Sequence, residues 1–288
     1  ILMAVAVVGF WSAVRVTRSG PDYRCDLLAL QTLLMMAWYI VNVWNHVAIS
    51  RYLPFANLVV VGNWFLPFAG VMAGLAWRRI REHPVRRWIA TASLPLIGLY
   101  SAVYPMLGER PVCAEQWQDG VCLQTSQNTC SPASAATLLK AHGIQATEEE
   151  LAELCLTRNG TTWTGLYRGL KHKTRGTNWD VELFECRLIY LHKRFHSGNG
   201  PILLSVCVGD EISLDDEYVS DWGLMPGQMH TVVLFRTLGD QACVIGDPAI
   251  GRELWSWGDV QRLWQGQGIR LVPKVKTTTV AAFTPRKH

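Results

Sequence analysis

Residues 124–143 read QTSQNTCSPASAATLLKAHG. Polar residues lead to one cysteine, Cys130, and an alanine-rich run follows it. Ser131-Pro132 suits a helix start, because a proline in the first turn gives up only an N–H that has no intrahelical acceptor. Ala133 to Ala141 propagate the helix and Gly143 ends it. The stretch therefore predicts a thiol at the mouth of a helix. A cysteine is a good nucleophile only as thiolate, and both a helix N-terminus and a nearby imidazolium lower its pKa. Cys130 has the first by position, so the imidazole has to come from elsewhere in the chain.

Downstream, a second helix is predicted over about 147–156, with Thr147 and Glu150 at capping-box spacing. A third starts near Thr162 and runs through LYRGLKHK, and a fourth covers about 181–195. The pattern then changes to short apolar runs: PILLSVCVG (201–209), HTVVLFRTL (230–238), ACVIGDP (242–248) and IRLVP (269–273). These read as strands, and helices followed by strands in one unit predict an α+β domain.

Among the histidines, His142, His172, His192 and His196 fall on or beside predicted helices. His230 opens an apolar strand and Asp247 ends the next. Two adjacent antiparallel strands would bring them side by side, where the acid holds the imidazole in one tautomer. Gln124 would donate its amide to an oxyanion together with the Cys130 backbone N–H. Gln127 is a rival for that role, and only spacing chooses between them. Singly, each residue has a plainer reading: a buried thiol, a strand-end histidine, a turn-forming aspartate.

Upstream the character changes. The chain has 288 residues and 49% hydrophobic content, with a mean hydropathy of +0.12, and the apolar excess sits in residues 1–107. Residues 27–49, 55–77 and 88–107 have the length and apolarity of membrane spans. Residues 1–14 read as the tail of a longer first span. A signal peptide is the weaker alternative, because the basic residues follow the apolar run. Arg15, Arg18 and Arg24 lie between spans one and two, and Arg78, Arg79, Arg81, Arg86 and Arg87 between spans three and four, against Arg51 alone in the middle loop. The positive-inside rule places both Arg-rich loops in the cytoplasm and everything after Leu107 outside. Trp38, Trp44, Trp77 and Trp88 fit interfacial anchors. Asn42, Asn45 and His46 are read as inter-helix hydrogen-bonding groups, and GVMAG (70–74) as a helix contact within the chain.

The net charge of +4 comes with no basic face interleaved with aromatics, so nucleic acid is not an expected partner. No Cys/His spacing matches a structural zinc site, and the chemistry above needs no metal or nucleotide cofactor. Seven of the eight cysteines would lie outside the cytoplasm, where Cys113–Cys122 is the first bridge to expect and Cys207–Cys243 a second. The Trp-bearing segments NWD, DWG and LWSWG read as core or interface more readily than as a cleft. Asp215, Asp216 and Glu217 read as a solvated loop.

The ordered set QTSQNTCSPASAATLLKAHG, PILLSV, HTVVLF, VIGDPAIG and VQRLWQG resembles the bacteriocin-processing peptidase family, papain-like cysteine peptidases that cleave leader peptides after double glycine. The resemblance covers about 120–273. It implies Cys130 as nucleophile, His230 as base, Asp247 as its orienting acid and Gln124, six residues before Cys130, as oxyanion donor. The chain departs from the family in having Ser131 where glycine usually follows the cysteine, in a longer Cys-to-His segment, and in carrying no ATP-binding module. Family domains fused to exporters work in the cytoplasm, whereas the charge pattern puts this one outside. The expectation is thus a membrane-anchored cysteine peptidase with a peptide or protein substrate. A transmembrane region (1–107) is followed by a linker (108–122) and a papain-like α+β domain (123–288). A peptide-binding module without catalysis and a cysteine amidase or acyltransferase are the alternatives on the same fold.

Overall fold

The computed structural model describes residues 2–42, 65–81, 83–104, 107–191, 200–209, 219, 224–239 and 241–274. It begins with helices α1 (Leu2–Val16), α2 (Asp22–Asn42), α3 (Phe65–Arg79) and α4 (Pro84–Val103). Helices α1 and α3 touch through backbone. A Cβ on Gly70 would lie 2.3 Å from the Ala6 carbonyl oxygen, and one on Gly74 would lie 2.4 Å from that of Phe10. The GVMAG pattern is therefore a contact within the chain.

At the other end of this contact Arg78 donates to the carbonyls of Thr17 (3.1 Å) and Arg18 (2.7 Å) at the end of α1. Arg79 pairs with Asp26 at 3.0 Å and Arg81 with Asp22 at 3.1 Å. The two Arg-rich loops thus lie together. The Arg87 guanidinium sits 3.6 Å from the Trp77 ring centre, and Trp77 meets Trp88 edge-on. Leu27, Leu34, Trp38 and Val41 of α2 and Trp88, Ile89 and Leu96 of α4 are exposed. Apolar faces of that extent are what lipid or a partner covers.

Of the four expected spans, α2 alone among the described residues is long and apolar enough to cross a membrane, and α1 is a shorter apolar helix. Of the third, residues 55–64 lie outside the described residues, and the described helix closes on Arg78 and Arg79; the helix of the fourth carries Arg86 and Arg87 near its start, which lowers its apolarity. Residues 43–64, with Trp44, Asn45, His46 and Arg51, lie outside the described residues. Asn42 donates to the Trp38 carbonyl at 2.9 Å, so its described bond stays within its own helix and joins no other.

Residues 116–122 of the expected linker form, with Leu123, a hairpin of β1 (Gln116–Gln118) and β2 (Val121–Leu123). Asp119 and Gly120 at its tip both have positive φ, 49° and 83°, the geometry that Asp-Gly favours in a two-residue hairpin turn. Then come α5 (Cys130–Ala141), α6 (Glu148–Leu154) and α7 (Trp163–Lys173). Thr147 and Thr162 cap α6 and α7, accepting from the N–H of Glu150 and Gly165.

The sheet contains β3 (Trp179–Glu185), β4 (Ile202–Cys207), β5 (Met229–Leu238), β6 (Ala242–Asp247), β7 (Gly251–Ser256) and, after α8 (Trp257–Leu263), β8 (Trp264–Pro273). Its order is β3-β8-β4-β5-β6-β7, and every pairing is antiparallel. The helix expected over 181–195 is a correction. Residues 179–185 pair residue by residue with 273–267 of β8, and only 188–191 are helical among the described part. Both faces of the sheet are covered. Leu203 and Val233 meet the side of α5, α6 and α7, whereas Ile202, Leu204, Val206, Val232 and Leu234 meet Trp255, Val260 and Leu263. Burial on both faces explains why PILLSV is a continuous apolar run and not an alternating one. Trp255, from LWSWG, is fully buried core.

None of the eight cysteines is in a disulfide bond. The expected Cys207–Cys243 bridge is blocked by topology, since β5 lies between their strands. Cys113 and Cys122 are likewise unbonded, and burial pushes their thiols up to about 11 and about 12.

Replacing Gly70 by valine is expected to force α3 away from α1 and to cost about 1–3 kcal/mol of overpacking. A lowered melting temperature of the full chain in detergent, compared with Gly70→Ala and wild type, measures it. A valine variant that melts with wild type would remove the close contact.

Candidate active site

Cys130 is the first residue of α5, preceded by a turn in which the Thr129 hydroxyl donates to the Ser126 carbonyl at 2.8 Å. The helix behind it is buried from Ser131 to Leu139. A helix enclosed on all sides needs small side chains where it crosses a sheet, which Ala133, Ser134, Ala135 and Ala136 provide. Two hydroxyls then tie α5 to β5. Ser131 Oγ lies 2.8 Å from Thr231 Oγ1, and Ser134 Oγ donates to the Thr231 carbonyl at 2.7 Å. Thr231 is the neighbour of His230, so these bonds set the helix headed by Cys130 against the strand that carries His230.

The β5–β6 ladder pairs Val233 with Gly246, so its next step places Asp247 across from Val232. His230 is then the diagonal neighbour on the same face, within reach of a long side chain. His230 Nε2 lies 2.9 Å from Asp247 Oδ1. That leaves the other ring nitrogen, Nδ1, for the Cys130 sulfur. The carboxylate has no solvent exposure, and its Oδ1 also accepts from the Ala249 N–H at 2.7 Å. Oδ2 is buried with no partner among the described residues.

Burial opposes charge on both Cys130 and His230, and the pair overcomes it. For Cys130, burial pushes the thiol up; the hydrogen bond and charge of His230, the Ser131 hydroxyl and the Thr231 N–H together bring it below its ordinary value. For His230, burial lowers the pKa, while the bonds to Asp247 and Cys130 raise it to about 10. The thiolate–imidazolium pair therefore exists above the lowered Cys130 value and below about 10. Its contribution to stability is lost as pH falls through the first and as it rises through the second.

Gln124 lies in the loop before the nucleophile. Its N–H donates to the Pro248 carbonyl at 2.7 Å, so it sits beside the end of β6 that carries Asp247. Its Oε1 is buried and takes no bond from the described residues. Gln127 is exposed. The structure thus brings Cys130, His230, Asp247 and the Gln124 backbone into one neighbourhood at the α5, β5 and β6 termini. His142 bonds the Leu138 carbonyl within its own helix and packs on Trp179, away from this group. His192, His196, Asp215, Asp216, Glu217 and the DWG segment lie outside the described residues.

Sequence reasoning missed two elements of the neighbourhood. One is the Ser131/Ser134–Thr231 tie, for which polar residues on an otherwise apolar helix were the available signal. The other is Glu148, fully buried, whose two oxygens accept from the Thr125 N–H at 2.8 Å and the Thr125 hydroxyl at 2.6 Å. Nothing in the run EEE distinguishes Glu148 from its exposed neighbours.

Residues 119–184 match the model of the Peptidase C39 family. The match contains Gln124 and Cys130 and ends before His230 and Asp247. No curated protein matches the chain. Among solved structures, the peptidase domain of Streptococcus ComA, a bi-functional ABC transporter involved in quorum sensing, is 20% identical. It aligns with 53% of this chain and 96% of its own at a TM-score of 0.41. A double glycine motif protease from an AMS/PCAT transporter, in complex with the leader peptide, is 17% identical over 58% of this chain and 97% of its own, at 0.39. The family match, which includes the cysteine at the helix start, supports a cysteine peptidase.

With iodoacetamide as probe, Cys130 is expected to alkylate at a rate that stays high well below the ordinary thiol range of about 8.5. His230→Ala is expected to move the midpoint upward past that range, because burial then acts on the thiol unopposed. An unchanged profile in His230→Ala would show that the pair is not formed.

Proposed function

We propose that the chain is a membrane-anchored cysteine peptidase whose catalytic part faces the outside of the cytoplasmic membrane. The observation that carries the reading is the line of contact from the Cys130 thiol through His230 to the buried Asp247 carboxylate. Cys130 attacks the scissile carbonyl as thiolate. His230, already protonated by the pair, gives its proton to the leaving amine, and then takes one from the water that releases the acyl group. Asp247 holds the ring with Nδ1 toward the sulfur. The Gln124 amide and the Cys130 N–H, which as the first of its helix has no intrahelical acceptor, stabilise the oxyanion.

The family resemblance makes a leader peptide ending in double glycine the first substrate to offer. The placement of both Arg-rich loops at one end of the α1–α3 contact supports a cytoplasmic location for that end, and α2 supports anchoring in the bilayer. A chain fixed in this way meets its substrate as the substrate emerges from the membrane.

Incubation of the full chain in detergent with leader peptides ending in Gly-Gly tests the reading. Cys130→Ala is expected to abolish cleavage, and Gln124→Ala to lower kcat by about 10²–10³ with a smaller change in KM. Full cleavage by Cys130→Ala would end it. Orientation is tested separately: alkaline phosphatase joined after Pro273 is expected to be active in cells and a fusion after Arg81 inactive, and the reverse result would place the catalytic part in the cytoplasm.

A further inference from the structure

Gln124 hangs between two fixed points. On one side its N–H is held by the Pro248 carbonyl. On the other, the next residue, Thr125, is gripped at both its N–H and its hydroxyl by Glu148. Glu148 opens α6, and its side chain has no exposure. A carboxylate is placed in such a setting only where its oxygens are bonded, and here each oxygen takes one bond from the same residue. Two parallel bonds to one residue fix its orientation as well as its position. The Thr125 hydroxyl makes two bonds: it donates to Glu148 at 2.6 Å and accepts the Ala114 N–H at 2.8 Å. Ala114 belongs to the segment that leads from the membrane helices. The oxyanion loop is thereby stitched to α6 and to that segment through one threonine.

We infer that Glu148, acting through Thr125, is a positioning residue that holds Gln124 at the oxyanion. The inference rests on the peptidase reading above, in which Gln124 is the oxyanion donor. Glu148 touches neither Cys130 nor His230 in any described bond, so its loss leaves the thiolate–imidazolium pair in place. It alters only the step in which a carbonyl oxygen gains charge.

Two probes of the same sulfur separate these effects. Iodoacetamide is displaced at a saturated carbon: a C–S bond forms, iodide leaves, and no oxyanion develops. p-Nitrophenyl acetate is attacked at its carbonyl: the C–S bond forms, the oxygen becomes an oxyanion, and p-nitrophenolate leaves as the carbonyl re-forms. The full chain in detergent is reacted with each, and the rate of Cys130→Ala is subtracted to remove the other thiols.

Glu148→Gln is expected to slow acetylation about tenfold to a hundredfold, the scale of a misplaced catalytic group, and to leave the alkylation rate and its pH midpoint unchanged. Thr125→Val is expected to do the same and Thr125→Ser to restore the wild-type rate. In a Gln124→Ala background Glu148→Gln is expected to add no further loss. If Gln124→Ala slows acetylation while Glu148→Gln does not, or if their losses multiply, the positioning role is overturned. If Gln124→Ala itself acetylates at the wild-type rate, the oxyanion assignment fails first. Should Glu148→Gln lose its alkylation profile through misfolding, the Thr125→Val and Thr125→Ser pair decides.

Discussion

A helix buried along its length can be built only from residues small enough to let its surroundings close on it, and α5 sets that constraint for the rest of the domain. Nine consecutive residues, Ser131 to Leu139, are shielded from solvent. The β2 hairpin strand, α6, α7 and strands β4 and β5 all pack on it, and each gains from the closeness that alanine permits. Burial also decides the placement of Cys130. A helix that cannot shift along its axis presents its first residue at one point, and Ser131 and Ser134 peg that point to the backbone of the histidine strand. Ser131, which stands where relatives of the resembled family usually have glycine, is used here as a peg.

Electrostatics at the site follow from the same enclosure. A thiol and an imidazole that are largely out of water would singly be driven neutral. Together they carry charge, because each supplies what burial took from the next. The imidazolium compensates the thiolate and the carboxylate compensates the imidazolium. The Asp-Pro turn that follows β6 contributes beyond chain reversal. Its Ala249 N–H takes part of the carboxylate's bonding capacity and its Pro248 carbonyl holds the Gln124 backbone. One turn therefore links Asp247 and the Gln124 loop.

Much of this was legible in residue order, and the unread parts have physical reasons. Caps on α6 and α7 were readable, since Thr147 and Thr162 act on N–H groups three residues ahead in the same chain. The mouth positions of Cys130 and His230 were readable because proline and an apolar run mark where elements begin. Strand β3 was misread as helix: Glu182, Leu183 and Glu185 favour helices, Leu183 and Phe184 are buried in succession on the two faces of the sheet so that no clean alternation shows, and its partner β8 is more than eighty residues away. β7 and α8 were not read at all, because one charged and aromatic stretch, GRELWSWGDVQRL, holds both. Glu148 was invisible for a related reason. A buried glutamate at a helix start looks in sequence like the exposed ones that follow it, and only the returning loop with Thr125 makes it structural.

The hairpin of β1 and β2 bears on how the two regions of the chain relate. A linker of turn residues would leave the α+β domain free to swing relative to helices α1–α4. Instead β2 enters the core beside α5, with the Cys122 N–H donating to Thr137 at 2.8 Å, and Ala114 binds Thr125. The free length between α4 and the first bond to the domain, the Arg110–Glu153 pair at 3.2 Å, is about six residues, a reach of roughly 20 Å at full extension. That tether keeps the α+β domain within this reach of the α1–α4 helices.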